Sequence, residues 1–249
     1  MRYLVAMKQV PDLEQLRIRN RQPILDDVPF TYSKPDKNAL EAAVQLKEQN
    51  GGEVIVLSVG GEELEDTVKE AMAAGGDSSI LVMDDTLAGA ESPVIAQILA
   101  ELVRRTEDVG LLFFSEGSAD NYTGQVGPRV AEILNLPQVS CVTAIEIKDG
   151  KAILTRSLSN REEVVAVSLP AVVIVEADLN EPRLPSVTQV LKAGKKPKEL
   201  IELDELQIST GSRWIETKSN LAAELNRQKK MLKNTTELVE TLLASGLGR

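Results

Sequence analysis

The sequence predicts an α/β protein built on a mainly parallel sheet, and three observations carry that reading. Short runs rich in β-branched residues alternate with longer segments of helical period over the first half of the chain. Glycine pairs stand where helices should stop, at Gly51-Gly52 and Gly75-Gly76. Ala, Val, Ile and Leu supply the core while aromatic residues make up only 3% of the chain, a composition suited to helices layered on a sheet. A length of 249 residues accommodates one large domain, or one domain and a tail.

In order, Tyr3–Met7 reads as a first buried strand, and Lys37–Gln49 as a helix with Ala39, Leu40, Ala43, Val44 and Leu46 on one face. Glu53–Val59 is a strand, Glu63–Ala74 a helix, Ile80–Met83 a strand, and Pro93–Thr106 a helix that Pro93 can begin. Gly110–Phe114 is a further buried strand, Ser115–Thr123 is small and polar, and Gln125–Leu134 is a short helix. The second half changes character. Val139–Ile147, Ala152–Ser157, Glu163–Val167 and Ala171–Glu176 read as antiparallel strands added to the edge of the parallel sheet. Asn180 to Pro197 reads as loop, and Lys218–Leu243 as one long polar helix. The apolar positions of that helix, among them Leu221, Leu225, Leu232, Val239 and Leu242, are too sparse to bury a full face. Residues 1–200 form the expected core domain, and 201–249 an expected arm for partner docking.

Charge and composition remove several function classes. The net charge is -10, and the one basic cluster, Lys192 to Lys198, is interrupted by Ala193, Gly194 and Pro197. Nucleic acid is not the expected partner, since phosphate neutralisation by clustered cations supplies most of that affinity. Histidine is absent and Cys141 is the single cysteine, which removes His-based acid/base chemistry, Cys-His nucleophiles and zinc or iron–sulfur ligation by this chain alone. No intrachain disulfide can form, as suits the cytoplasm. The N-terminal apolar stretch is too short for a secretory signal, and no run approaches the ~20 residues needed to cross a membrane. The Asp84-Asp85 and Glu62-Glu63-Glu65-Asp66 clusters read as solvated helix starts, and Trp214 and Cys141 as packing residues.

In an open parallel sheet a ligand sits beyond the carboxyl ends of the strands. Three segments meet that description: Ala6–Asp12, Val59–Gly61 and Ser115–Pro128. The last, S-E-G-S-A-D-N-Y-T-G-Q-V-G-P, combines glycines, hydroxyl side chains and a helix start. Glycines admit a phosphate to the backbone, free N–H groups donate to it, and the helix dipole favours its charge. Neither a Walker loop nor G-x-G-x-x-G is present, so pattern alone leaves a phosphate loop and a plain capped surface loop equally open.

Several segments in order resemble one family. M-K-Q-V-P-D (Met7–Asp12), N-A-L-E-A-A-V-Q-L-K (Asn38–Lys47), T-G-Q-V-G-P-R-V-A-E-I-L (Thr123–Leu134), L-P-A-V-V (Leu169–Val173) and L-N-E-P-R (Leu179–Arg183) are similar to electron-transfer flavoprotein beta subunits. The resemblance implies a doubly wound, Rossmann-like nucleotide-binding domain paired with a larger alpha subunit that holds most of the electron-carrying FAD. It implies oxidoreductase activity only within that heterodimer, with electrons passing between a dehydrogenase and a membrane or soluble acceptor. In the beta subunit it implies either a structural AMP or, in the electron-bifurcating branch, a second FAD. Val10–Asp12 and Gln125–Pro128 look like the FAD branch, which is the favoured expectation.

Carried over by position, contacts to that nucleotide would come from Ala6, a loop of Lys34, Pro35 and Asp36, and Val59. They continue through Ser115, Glu116, Gly117, Ser118, Ala119 and Asp120, and then Asn121, Tyr122, Thr123, Gly124, Gln125 and Val126. The chain departs from the family at Tyr122, where a carboxylate is usual, at Glu116, where a basic residue is usual, and at Lys34 for Asn. Ser159-Asn160-Arg161 replaces a usual Asp-Gly-Gly turn. Leu184–Ala193 resembles the loop that docks the electron-donating dehydrogenase, giving Leu184, Val187, Val190 and Leu191 as partner-recognition residues within 183–194. Val187 stands where relatives carry Leu. The competing reading is an adenine-nucleotide-binding regulatory module of the same general fold, without flavin.

Overall fold

The computed structural model describes residues 1–206, 208, 215–224 and 229–246. β1 (Arg2–Ala6) leads into four short strands, β2 (Gln9–Pro11), β3 (Arg17–Arg19), β4 (Gln22–Ile24) and β5 (Phe30–Tyr32). These pair antiparallel outside the main sheet, β2 with β5 and β3 with β4. α1 (Lys34–Asn50) follows, then β6 (Glu53–Gly60), α2 (Leu64–Ala74), β7 (Ser78–Met83), α3 (Ser92–Arg104) and β8 (Val109–Ser115). After β8 come α4 (Val126–Leu134), β9 (Gln138–Lys148), β10 (Lys151–Leu158), β11 (Arg161–Ser168) and β12 (Ala171–Val175). The chain closes with α5 (Val187–Ala193), β13 (Lys198–Ile201) and α6 (Thr235–Ala244).

The main sheet has nine strands in the order β11-β10-β9-β12-β8-β1-β6-β7-β13. The pairs from β9 through β12, β8, β1, β6 and β7 to β13 are parallel, and β10 and β11 are antiparallel additions. Side chains alternate across the sheet. Tyr3, Val5, Val54, Val56, Phe113 and Val173 pack on one side, together with apolar residues of α1 and α2. Leu4, Ile55, Leu57, Leu112, Val172 and Ile174 pack on the other with those of α3 and α4. Helices on both faces make the fold doubly wound.

Four sequence expectations are corrected. Ala171–Glu176 was expected at an antiparallel edge, but β12 lies inside the sheet, parallel to both β8 and β9. Its five residues are all buried, as an unbroken apolar run in a central parallel strand requires. The Asn180–Pro197 loop contains α5, nucleated by a reciprocal capping box between Ser186 and Gln189. Lys34, Pro35 and Asp36 form the first turn of α1 rather than a loop, with proline fitting at a position that has no helical N–H partner to lose. Among the described residues of Lys218–Leu243 the expected helix is present only as α6, and residues 218–224 and 229–234 are not helical. α6 buries none of its residues, and a long helix without a packed face has little beyond propensity to hold it. Leu225 and Trp214 lie outside the described residues.

The acidic clusters sit where expected: Asp84 caps a short 3-10 turn by accepting from the Thr86 N–H at 2.8 Å, and Glu65 and Asp66 lie in the first turn of α2. Among the described residues no helix is long and apolar enough to cross a membrane.

Candidate nucleotide site

Strand order reverses between β1 and β8, since the chain leaves β1 toward β6 and leaves β8 toward β12. The crevice beyond their carboxyl ends holds a cavity partly open to solvent. That is the place expected for a small-molecule site in such a sheet. Ala6 closes its floor from β1, Val59 from β6 and Ser115 from β8. Asp36 enters from the first turn of α1. Gly117, Ser118 and Asn121 form one wall, and Thr123, Gly124, Gln125 and Val126 bring the start of α4 to another. Those residues were legible in the sequence.

The opposite wall was not: Ala90, Ser92, Ile95 and Leu99 come from α3 and the turn before it. Met7, Lys8, Phe114 and Gly127 also line the cavity. Met7 and Lys8 belong to the first strand-end segment, so its position after β1 was a usable signal. The α3 residues lie far away in sequence and follow a different strand, and the only local cue was Pro93 marking a helix start. Of the remaining expected contacts, Lys34, Pro35, Glu116, Ala119, Asp120 and Tyr122 do not line the cavity. The Lys34 ammonium lies 4.0 Å from Glu181. Asp120 instead accepts from Lys8 Nζ at 2.5 Å on the cavity rim.

The Thr123–Val126 wall has the features of an anion cradle. Gly124 has φ of +63°, and a β-carbon there would come 3.0 Å from the Glu116 carbonyl oxygen. Only glycine takes that conformation freely. No protein acceptor among the described residues receives the N–H groups of Thr123, Gly124 or Gln125. Gln125 caps α4 with no side-chain hydrogen bond to the helix, so the first-turn donors of α4 also lack a side-chain acceptor from their cap. Thr123 Oγ1 lies 3.2 Å from Ser92 Oγ at the start of α3, which holds the two helix starts at one mouth.

Ionisation in and around the cavity is set by burial and pairing. Burial pushes the Asp36 carboxyl up to about 6, against hydrogen bonds from Ser115, the Lys8 N–H and Ser33. Burial also works against the Asp120 carboxylate, but donation from Lys8 and Ser118 holds it below its ordinary range. Burial raises the Tyr122 phenol to about 12, helped by the Glu116 carboxyl to which it bonds. Tyr122 covers Gly117, where a β-carbon would meet its ring at 2.9 Å. The phenol and Glu116, both departures from the family pattern, therefore interact outside the cavity.

A second feature lies on the far side of α1. Arg183 Nε donates to Glu41 Oε2 at 2.7 Å and its Nη1 to Glu48 Oε1 at 2.6 Å. Asn180 and Asn38 exchange side-chain-to-backbone hydrogen bonds at 2.6 and 3.0 Å. The L-N-E-P-R segment is thus fastened along α1 immediately before α5. α5 carries Val187, Val190 and Leu191 on one stripe, 77, 53 and 74% exposed, with Leu184 at 94% just before it.

The electron transfer flavoprotein domain matches residues 24–206 of the chain. The chain belongs to the electron transfer flavoprotein family. It is 35% identical over 211 residues to the electron transfer flavoprotein subunit beta of Thermoanaerobacterium thermosaccharolyticum, covering 84% of this chain and 81% of the relative. The Bacillus subtilis subunit beta is 35% identical over 210 residues, with the same coverage. The caffeyl-CoA reductase-Etf complex subunit CarD of Acetobacterium woodii is 34% identical over 212 residues, covering 84 and 81%. Within the electron transfer flavoprotein family this chain is of the beta-subunit type, and the family's work is electron transfer.

Proposed function

We propose that this chain is the beta subunit of a cytoplasmic heterodimer that carries electrons between a dehydrogenase and a downstream acceptor, and that its cavity holds a nucleotide. The observation that carries the nucleotide reading is the Thr123–Val126 cradle. It presents N–H groups with no protein acceptor, glycine where the backbone is left-handed, and the start of α4. Phosphate oxygens satisfy such donors and the dipole behind them. The apolar wall of Val59, Ile95, Leu99 and Phe114 fits the flat face of a base. AMP and the AMP half of FAD share this chemistry, and Val10–Asp12 with Gln125–Pro128 favours FAD.

FAD, when bound, supplies the redox chemistry of such a carrier. The chain's own residues bind and orient. Thr123 to Val126 take the phosphates, Val59 and Ile95 exclude water from the base, and the Arg183–Glu41–Glu48 clamp holds the segment before α5 to α1. The exposed stripe of Leu184, Val187, Val190 and Leu191 docks the electron donor, since protruding apolar anchors concentrate binding energy. The arm beyond residue 206, including α6 with its uncovered Leu238, Val239 and Leu242, grips the larger alpha subunit.

The deciding experiment purifies the chain in complex with an alpha subunit, releases the nucleotides with acid and separates them. Two FAD per heterodimer and no AMP supports the favoured reading, and one FAD with one AMP assigns the simple carrier. A heterodimer with one FAD and nothing in the beta cavity sinks the nucleotide proposal.

A further inference from the structure

Phosphate binding leaves one buried group of the cavity without a role. Asp36 is 3% exposed, yet it lines the cavity between β1 and β8. An ionised carboxylate offers about four acceptor positions. Oδ2 accepts from Ser33 Oγ at 3.1 Å and from the Lys8 N–H at 3.2 Å, and Oδ1 accepts from Ser115 Oγ at 2.7 Å. One position, on Oδ1, has no donor among the described residues. The cation nearest to it is spoken for, because the Lys8 ammonium is paired with Asp120.

We propose that Asp36 is a specificity-determining residue of this cavity, selecting ligands that present a neutral O–H or N–H donor to Oδ1, and that such ligands bind its ionised form. The proposal rests on reading the cavity as a nucleotide site and adds which part of the nucleotide faces which wall. A phosphate beside a buried carboxylate is repelled, so the anion goes to the Thr123–Val126 wall and the nucleoside turns toward Asp36. Two nucleoside groups supply the required donor: a sugar hydroxyl and the exocyclic amino group of adenine.

The titration of Asp36 supports this arrangement. Its carboxyl is held near 6 chiefly by burial, opposed by the Ser115, Lys8 and Ser33 donors and by the Lys8 charge. The other ionisable groups that face it are few. Lys8 follows β1, Tyr32 ends β5 with a phenol that the Asp36 charge helps to raise, and Asp120 reaches it only through Lys8. A ligand donor favours the ionised form, so binding weakens as pH falls through the range where Asp36 takes up its proton.

The test titrates the nucleotide-free full chain with adenosine, which has no phosphate to titrate, between pH 5 and 8. Affinity is expected to fall about tenfold from pH 7 to pH 5, from one group titrating near 6. Asp36→Asn should flatten that dependence. Inosine, 2′-deoxyadenosine and 3′-deoxyadenosine, tested on the unaltered chain, identify the donor: one of them should bind at least tenfold more weakly than adenosine. A flat pH profile in the unaltered chain overturns the inference, as does equal binding of all three analogues. If neither adenosine nor AMP binds at any pH, the nucleotide reading itself falls. If AMP binds with no dependence on these donors, that reading stands and only the role of Asp36 is lost.

Discussion

Replacing Gly124 by valine perturbs the cradle at its tightest point. The backbone there has φ of +63°, which costs an L-residue about 1–2 kcal/mol and suits a β-branched one least. A β-carbon also meets the Glu116 carbonyl oxygen at 3.0 Å, and crowding of that kind adds about 1–3 kcal/mol. A total near 3 kcal/mol should lower the melting temperature by about 6–12 °C in a chain of this size. Gly150 provides the control. It has φ of +72° with nothing within 4 Å of its β-carbon, so Gly150→Val carries the conformational cost alone. The difference between the two variants measures the contact. The functional effect is larger than the structural one. Relief of the contact moves the N–H groups of Gly124 and Gln125, and losing two charge-assisted hydrogen bonds removes about 3–6 kcal/mol of binding. That exceeds a hundredfold in Kd. The assay is nucleotide stoichiometry in the purified heterodimer beside a melting curve. Gly124→Val with the beta-site nucleotide at full occupancy would show that the segment only caps α4.

The clamp on α1 should be costly to break: Arg183→Ala leaves Glu41, 6% exposed, without its guanidinium, and is expected to destabilise the chain by about 3 kcal/mol. Adding Glu41→Gln should recover part of that loss in denaturant unfolding, and no recovery would place the effect elsewhere. Asp36 should leave a mark on apo-chain stability as well. Its folded carboxyl is raised from 3.8 to about 6, so the folded state holds the proton more tightly and the ionised carboxylate opposes folding by about 3 kcal/mol at pH 7. That cost fades as pH falls from about 7 to 4, so the melting temperature of Asp36→Asn relative to the parent chain should drop over the same window. A pH-independent difference would refute the assignment. Deleting residues 218–249 should leave the melting temperature of the isolated chain nearly unchanged, because none of the residues of α6 is buried and, among the described residues, the arm meets the core through exposed pairs such as Arg21 with Glu224. The same deletion should weaken the heterodimer on size-exclusion chromatography, and an intact complex would remove the arm from the interface.

The sequence by itself determined the elements whose signals are local. The period of Ala39, Leu40, Ala43 and Val44 makes a helix anywhere it finds a sheet to cover, and Gly51 ends it at a positive φ. β1, β6 and β8 are mainly apolar and buried through their central residues because parallel strands are covered on both faces. The same run at β12 was legible as a strand but not as a central one, because neighbours in a sheet are chosen by packing across the whole fold. α5 and β13 are short, and both are fixed by what they meet. Ala193 of α5 is buried in the core beside α2, and β13 pairs along β7. The Thr123–Val126 cradle was readable because its glycine, hydroxyl and helix start are contiguous. The α3 wall and the burial of Asp36 were not, since they arise only when β1, β6 and β8 bring separate segments to one crevice. The long C-terminal helix failed for the converse reason: its residues can be helical, but among the described residues none of α6 is buried, and propensity alone rarely holds a helix in water.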